Sequence, residues 1–193
     1  MMVPLTREGR KAREEFIALI SKYKKPQESD VLEVGMGRGY FGSIVGDIFK
    51  TYSGIDNTID NLEICNRKHS GAFDYRLGLA EAIPFGDNIF DILLYPRVFH
   101  YIELKDQAIR EAKRVIKPQG LVVVIEPNPD YKGHIWVDPR MQEGSPSFEP
   151  KRLSDKLDKI RASMDYVRKQ RVFKVLEEIP IFDNNMVASF LIN

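Results

Sequence analysis

Cysteine is almost absent from this 193-residue sequence, in which Cys65 stands alone. A single thiol excludes an intramolecular disulfide and any zinc cluster built on several cysteines, and it is consistent with a reducing compartment. Long hydrophobic runs are missing too: Leu121–Ile125 ends after a few residues, whereas a membrane-spanning helix needs roughly 20. Residues 1–20 lack the apolar core of a signal peptide. We therefore expect a cytoplasmic protein with no membrane partner.

Charge of one sign is not in excess, because 29 Lys and Arg balance 28 Asp and Glu. No overall field favours nucleic acid, an anionic membrane or an acidic substrate, so recognition must lie in a local site. The charge balance leaves the oligomeric state open. No metal is expected, since the polar run Asp183–Asn185 has the composition of a turn.

The spacing of apolar residues predicts helices that alternate with strands, which is typical of a parallel sheet. An amphipathic helix is expected over Thr6–Lys24, ended by Pro26. Further helices are expected over Ile59–His69, from Leu104 to Ile116, and from Leu153 to Val167. Five strands are expected between and after the first helices, over Asp30–Val34, Tyr52–Ile55, Phe73–Leu77, Phe90–Tyr95 and Leu121–Glu126.

Two final strands are predicted over Phe173–Phe182 and Met186–Ile192. Only three residues separate them, and a parallel crossover needs a dozen or more, so they should form an antiparallel hairpin. The predicted fold is one α/β domain over residues 1–193. It is a doubly wound, Rossmann-like seven-stranded sheet, mostly parallel with an antiparallel C-terminal strand, and with helices on both faces.

The segment Pro127–Pro150 has loop composition and leaves the carboxyl end of the fifth predicted strand. Loops of this length are usually functional or disordered. We expect it to be a substrate lid that contains Tyr131, His134, Trp136 and Phe148. The alternative is that its aromatic side chains anchor the loop to the domain.

A glycine-rich loop follows the first strand, where Gly37-Arg38-Gly39-Tyr40-Phe41-Gly42 satisfies G-x-G-x-x-G. Such glycines let the backbone approach a ligand closely. Asp56 lies at the end of the second strand, where a carboxylate can accept both hydroxyls of an adenosine ribose. Since NAD and S-adenosylmethionine (SAM) both carry this ribose, these residues alone leave the two cofactors open.

Two features favour SAM over NAD. Glu33 precedes Gly35 on the strand, and an anion there suits the ammonium or sulfonium of SAM better than a pyrophosphate. The antiparallel terminal hairpin also departs from the all-parallel arrangement of dinucleotide-binding domains.

Three further segments follow in order, Glu81–Phe85, Asp87–Asp91 and Ile116–Gly120. Together with Val31–Gly42 they resemble the class I SAM-dependent methyltransferases, especially the branch with many enzymes that methylate small molecules. The resemblance implies SAM as cofactor and methyl transfer by in-line displacement. It favours a small-molecule acceptor, although a nucleic acid or protein acceptor is not excluded.

Site residues also follow from the resemblance. It implies that Glu33, Gly35, Gly37 and Gly39 hold the methionine end of SAM, and that Asp56 grips the ribose. Ala80, Glu81 and Tyr95 complete the implied cofactor set, and Asp91 is implied to lie near the site. Leu79 stands where the family usually has an Asp that contacts the adenine amine.

Candidate catalytic residues follow the fourth strand, at the sheet edge where open α/β folds bind ligands. His100 and Tyr95 are the candidates, and a base is needed only if the acceptor is protonated at working pH. A packed or solvent-facing imidazole is the structural alternative for His100. Two other functions stay open, a non-catalytic SAM-binding regulator and an NAD-dependent oxidoreductase.

Overall fold

The computed structural model describes residues 5–130, 150–181 and 186–193. Its described residues contain one seven-stranded sheet in the order β3-β2-β1-β4-β5-β7-β6. The strands are β1 (Asp30–Val34), β2 (Thr51–Asp56), β3 (Asp74–Leu77), β4 (Phe90–Pro96), β5 (Ile116–Pro127), β6 (Lys174–Ile181) and β7 (Met186–Ile192). Only β7 runs against its neighbours β5 and β6, whereas β1 to β5 pair in parallel. The predicted mixed sheet with an antiparallel last strand is therefore confirmed.

Five α-helices connect or flank the strands within the described residues. They are α1 (Arg7–Ile20), α2 (Tyr40–Val45), α3 (Ile59–His69), α4 (Lys105–Val115) and α5 (Pro150–Lys169). The Thr6 hydroxyl caps α1 by accepting a hydrogen bond from the backbone N–H of Gly9 (3.1 Å). Helix α1 ends at Ile20, four residues before the predicted Lys24.

Strand β5 begins earlier than the sequence predicts. Ile116 already pairs with Phe90, and the register then shifts so that Ile92 pairs with Leu121. The register shift includes Gln119, whose φ of 60° lies in the left-handed region. The polar residues between Ile116 and Leu121 thus belong to β5, because β4 pairs with the residue before them and with the residue after them.

The two faces of the sheet are covered by different helices. Side chains alternate along β4, so that Ile92 and Leu94 belong to the apolar core with α1 and α2, whereas Leu93 belongs to the core with α4 and α5. On α4 the buried side chains follow a helical stripe: Ala108, Ile109, Ala112 and Val115. No helix of the described residues is both long enough and apolar enough to cross a membrane.

The parallel strands bring the carboxyl ends of β1, β2, β4 and β5 to one edge of the sheet, where ligands of open α/β folds bind. Asp91 lies at the opposite edge, as the second residue of β4. Its carboxylate accepts hydrogen bonds from the backbone N–H of Asp30 (2.9 Å) and from Nζ of Lys117 (2.8 Å). The expectation that Asp91 lies near the site is therefore wrong. Its carboxylate instead links the first residues of β4 to those of β1 and β5.

Candidate functional site

The glycine loop between β1 and α2 leaves part of its backbone open. Gly37 has a φ of +53°, and a Cβ added there would meet nothing within 4 Å. Gly39 has a φ of +67°, but its added Cβ would lie 2.9 Å from both Cys65 Sγ and His69 Cε1. Gly39 is therefore packed against α3, whereas the backbone of Gly37 faces space that a ligand can occupy.

A buried polar chain holds the loop from below. The Ser43 hydroxyl donates to the carbonyl oxygen of Gly39 (2.6 Å), so Nε2 of His69, 3.0 Å from that hydroxyl, must donate to it. The other ring nitrogen, Nδ1, then accepts from the Tyr75 hydroxyl (2.6 Å). Burial lowers the pKa of His69, which keeps the imidazole neutral in this role. Sequence reasoning found no role for His69, because its two hydrogen-bond partners lie on different elements, Ser43 on α2 and Tyr75 on β3.

Glu33, the fourth residue of β1, is buried and lines a cavity above the glycine loop. Its Oε2 accepts a hydrogen bond from the Tyr52 hydroxyl (2.6 Å). Burial raises the pKa of Glu33 to about 8, and the nearby Asp56 carboxylate adds to this rise, while the bond from Tyr52 opposes it. A carboxylate in such surroundings gains most from a cationic partner.

Asp56 ends β2 and is connected directly to the glycine loop. Its Oδ2 accepts a hydrogen bond from the backbone N–H of Gly37 (2.8 Å). Its Oδ1 accepts from the backbone N–H of Thr58 (3.0 Å) and from Nδ2 of Asn61 (3.0 Å). Because an ionised carboxylate offers about four acceptor positions, these three bonds leave room for one further donor.

The cavity has a volume of about 470 Å³ and lies between α1 and the glycine loop. Glu33, Gly35 and Gly37 line it on one side, while Gly9 and Ala12 of α1 line it on another. Its remaining apolar lining includes Met36, Phe41, Ile44, Val45, Pro96, Ile125 and Met186. The predicted lid residues Tyr131, His134, Trp136 and Phe148 lie outside the described residues.

Ala80 and Glu81 lie next to the end of β2 but not on the cavity wall. The backbone N–H of Gly78 donates to the carbonyl oxygen of Asp56 (2.9 Å), which brings this turn beside the candidate ribose site. Ala80 is buried, and the carbonyl oxygen of Glu81 accepts from Nε2 of Gln107 (2.9 Å). Leu79, in the same turn, is 49% exposed.

Tyr95 and His100 are buried, and neither lines the cavity. Tyr95 packs edge-to-face on Phe99, its hydroxyl has no hydrogen-bond partner among the described residues, and burial raises its pKa. His100 Nδ1 lies 2.5 Å from Oε2 of Glu126, and the His100 backbone N–H donates to Oε1 of the same carboxylate (3.0 Å). Glu126, which sequence reasoning missed, is the one acidic residue in the buried run at the end of β5.

Arg97 follows β4 and lines the cavity. Its φ of 60° is left-handed, which is uncommon for a residue with a side chain, and its backbone N–H donates to the carbonyl oxygen of Ile125 (2.6 Å). Burial lowers the pKa of the guanidinium, as expected for a charge that has lost part of its hydration. Arg97 therefore places a partly desolvated positive charge on the cavity wall.

A family model described as a methyltransferase domain matches residues 32–124. A fatty-acid O-methyltransferase of Mycolicibacterium smegmatis is 33% identical over 109 residues, which are 55% of this chain and 40% of that protein. Phthiotriol/phenolphthiotriol dimycocerosates methyltransferase 1 of Mycobacterium ulcerans is 28% identical over 109 residues, with the same two shares. The matched region thus spans less than half the length of these relatives.

Among solved structures, a SAM-dependent methyltransferase from Aquifex aeolicus resembles this chain with a TM-score of 0.64. The two chains are 16% identical, and the likeness covers 98% of this chain and 93% of that one. At this identity the likeness concerns the fold, including the mixed seven-stranded sheet that carries the site at its carboxyl edge.

Proposed function

Since the chain carries a methyltransferase domain of the class I, SAM-dependent type, we propose that it transfers a methyl group from SAM to a small-molecule acceptor. Two relatives are named for methyl transfer to a fatty acid and to a dimycocerosate lipid, which supports a small molecule over a macromolecule. A cavity of about 470 Å³ is also in the size range of small-molecule sites.

The residues at the carboxyl edge of the sheet fit this cofactor. The backbone at Gly37 faces open space, and the Glu33 carboxylate lines the same cavity. Asp56 has one acceptor position left beside that loop. Asp56 does not line the cavity itself, but it is hydrogen-bonded to Gly37, which lines the cavity together with Glu33. A cationic amino acid end and a ribose therefore have suitable partners on the two sides of one loop.

We assign the roles accordingly. Glu33 balances the positive charge of the methionine end, while Gly35, Gly37 and Gly39 shape the loop around it. Asp56 accepts a ribose hydroxyl. Ala80 and Glu81 flank the adenine, since the backbone N–H of Gly78 in their turn donates a hydrogen bond to the carbonyl oxygen of Asp56. Tyr95 supports this region from within the apolar core, where its ring packs on Phe99.

When bound, SAM supplies a methyl group on a sulfonium, and the leaving thioether is neutral. The chain's task is then to hold the acceptor's nucleophilic atom in line with that methyl group. Such alignment is worth roughly 7–11 kcal/mol of the barrier. His100 stays a predicted proton acceptor, and its burial with Glu126 means that it would need a path to the cavity.

The observation that carries the proposal is the position of a buried carboxylate, Glu33, on a cavity wall next to the open backbone of Gly37. It is tested by calorimetric titration of the protein with SAM, with its demethylated product S-adenosylhomocysteine (SAH), and with NAD. We expect SAM and SAH to bind and NAD to show no heat of binding.

Two variants make the titration specific to the assigned residues. Asp56→Ala should abolish detectable SAM binding and Glu33→Gln should weaken it strongly, whereas Asp60→Asn, on the exposed first turn of α3, should leave it unchanged. Near-normal SAM affinity in both Asp56→Ala and Glu33→Gln would contradict the proposal. Labelled methyl transfer to a panel of small acids, alcohols and amines then separates an enzyme from a SAM-binding regulator.

A further inference from the structure

The carbonyl oxygens of residues 37–39 in the glycine loop are held from the side of α3. Sγ of Cys65 donates to the carbonyl oxygen of Gly37 (3.3 Å), and Nζ of Lys68 donates to those of Arg38 (3.4 Å) and Gly39 (3.3 Å). In a trans peptide each carbonyl points opposite to the N–H of the next residue, so these bonds turn the following N–H groups away from α3. The loop thus has α3 on one side and the cavity on another.

His69, the last residue of α3, makes the closest contact with this loop. A Cβ added at Gly39 would lie 2.9 Å from Cε1 of His69, so the loop backbone packs directly on the imidazole. The same ring lies 3.0 Å through Nε2 from the Ser43 hydroxyl, which in turn donates to the carbonyl oxygen of Gly39 (2.6 Å). The buried imidazole therefore fixes Gly39 both by packing and through a relay of two hydrogen bonds.

This relay requires one form of the imidazole. The Ser43 hydroxyl uses its only hydrogen on Gly39, so it can only accept from the ring, and Nε2 must carry a hydrogen. Nδ1 is then the nitrogen without a hydrogen, and it accepts from the Tyr75 hydroxyl (2.6 Å). A second proton on Nδ1 would meet the hydrogen of Tyr75, and that buried hydroxyl would have to turn away to accept it. The neutral ring with its hydrogen on Nε2 is therefore the form that completes the relay.

The charged and titratable groups around the ring do not favour a second proton. Burial lowers the pKa of His69, and the ammonium of Lys68, its neighbour on α3, lowers it further. Burial also raises the pKa of the Cys65 thiol on α3 to about 11 and raises the pKa of the Tyr75 hydroxyl on β3, so both groups are neutral at pH 7. The carboxylate of Glu33 on β1 adds to both of these rises. From α2 the ring meets an uncharged serine hydroxyl.

Resting on the proposed methyltransferase function, we propose that His69 is a positioning residue for the cofactor, and that SAM binds tightly only to the protein in which this imidazole is neutral. The neutral ring fixes the Gly39 carbonyl through Ser43. The N–H of Gly39 donates to the carbonyl oxygen of Met36 (2.9 Å), so the turn around Gly37 keeps the shape into which the cofactor fits. A second proton on the ring loosens this turn. SAM affinity therefore falls as the pH drops through the range in which His69 is protonated, by up to about tenfold per pH unit for one proton.

The first test is calorimetric titration of the intact protein with SAH at pH 7.5. Ser43→Ala removes the relay, and His69→Phe keeps an aromatic ring without nitrogen. Each should weaken SAH binding at least fivefold, since a buried hydrogen bond that holds the loop is lost. His69→Gln should restore part of the affinity, because its amide N–H can donate to Ser43. Ser154→Ala, exposed on α5, is the matched control and should leave the affinity unchanged.

A double variant tests whether His69 acts through Ser43. If it does, Ser43→Ala combined with His69→Phe should bind SAH no more than twofold more weakly than His69→Phe alone, because both substitutions remove the same link. Urea unfolding of the same proteins separates this effect from general destabilisation. Tyr75→Phe, which removes the bond on the far side of the ring, should lower stability like Ser43→Ala and yet weaken SAH binding less.

Nitrogen NMR of the protein labelled at histidine observes the ring itself, and the His69 signals are those that are missing in His69→Gln. They should show the form with the hydrogen on Nε2. SAH should lower the pH at which the ring takes up its second proton, because a ligand that prefers the neutral form stabilises it. A histidine that only supports the fold would titrate at the same pH with and without SAH.

Each of three results overturns the proposal. They are unchanged SAH affinity in folded Ser43→Ala, independent losses of affinity in the double variant, and a titration of His69 that SAH does not move. If His69→Phe does not fold, Ser43→Ala and the NMR titration still decide. Failure of the unaltered protein to bind SAH counts instead against the proposed function.

Discussion

His100 and Glu126 are joined by two hydrogen bonds: Nδ1 of the imidazole lies 2.5 Å from Oε2, and the His100 main-chain N–H donates to Oε1. Their side chains are only 1% and 2% exposed. The pair joins the turn after β4 to the end of β5, and these are the two segments that supply Arg97 and Ile125 to the cavity. The buried pair therefore holds two segments of the cavity wall in place.

We expect Glu126→Ala to lower the free energy of unfolding by about 3 kcal/mol. The substitution removes the acceptor of two hydrogen bonds, and each buried donor left without a partner costs roughly 1–3 kcal/mol. Urea unfolding followed by circular dichroism measures the change. Glu103→Ala, at an exposed position in the loop before α4, should stay within about 0.5 kcal/mol of the unaltered protein. Equal effects of the two substitutions would mean that the pair does not stabilise the fold.

Glu33 predicts a pH dependence of stability for the protein without cofactor. Its pKa is about 8 when folded, above the ordinary value of 4.5, so the folded state holds a proton that the unfolded state has lost between these two values. The free energy of unfolding should therefore fall as the pH rises from about 4.5 to about 8, by up to about 5 kcal/mol at 1.36 kcal/mol per unit.

Glu33→Gln removes this titration and isolates its effect. The difference in unfolding free energy between Glu33→Gln and the unaltered protein should grow in favour of the variant from pH 5 to pH 8.5. Urea unfolding across this range measures it, with Glu28→Gln on the exposed surface as the matched control. A difference that is constant with pH would contradict a raised pKa at Glu33.

Binding of a cationic cofactor beside Glu33 should release a proton. At pH 7 the carboxyl is mostly protonated because its pKa is about 8, whereas it must ionise to pair with a positive charge. Calorimetric titrations with SAM in two buffers of different ionisation enthalpy should report close to one proton released per site at pH 7. Binding of SAM to Glu33→Gln should release about one proton fewer. If the two proteins release the same number of protons, the cation does not bind beside Glu33.

The arrangement of the strands could be predicted because burial on a parallel sheet leaves a local pattern of apolar runs. The terminal hairpin followed from loop length alone. The start of β5 could not be predicted, because Pro118 and Gly120 have the composition of a helix end, and only pairing with β4 across a register shift makes them part of a strand. Tertiary pairing there overrides local preference.

The candidate site divides in the same way. Glu33 lies on β1, the glycines follow in the loop after it, and Asp56 ends the neighbouring strand β2. Their order in the sequence was therefore enough to predict that they lie close together. Glu126 lies 26 residues from His100, and the two meet only because β4 and β5 are adjacent. The positions of Tyr95 and His100 behind the cavity wall likewise depend on packing that no local pattern records.

Asn61 is predicted to act through Asp56. Its Nδ2 donates to Oδ1 (3.0 Å) and so keeps the carboxylate turned with Oδ2 toward the N–H of Gly37. We expect Asn61→Ala to weaken SAH binding about tenfold in calorimetry, because Asp56 would lose one of the bonds that fix its orientation. Asn57→Ala, at the exposed neighbouring position, is the matched control and should change the affinity less than twofold. If both variants bind SAH like the unaltered protein, Asp56 does not depend on Asn61.

Two glycine substitutions should separate folding from ligand binding. Gly37→Ala places a side chain at a φ of +53°, which costs roughly 1–2 kcal/mol, but its Cβ meets no protein atom within 4 Å. Gly39→Ala has the same backbone strain, and its Cβ also lies 2.9 Å from Cys65 Sγ and His69 Cε1. Gly39→Ala should therefore be the less stable variant by at least about 1 kcal/mol in urea unfolding, because packed atoms must move.

Gly37→Ala should remain folded at 25 °C and still lose SAH affinity at least tenfold, since its methyl group enters the space beside Glu33 that we assign to the cofactor. Unchanged SAH affinity in folded Gly37→Ala would mean that the cofactor does not approach the loop at this residue.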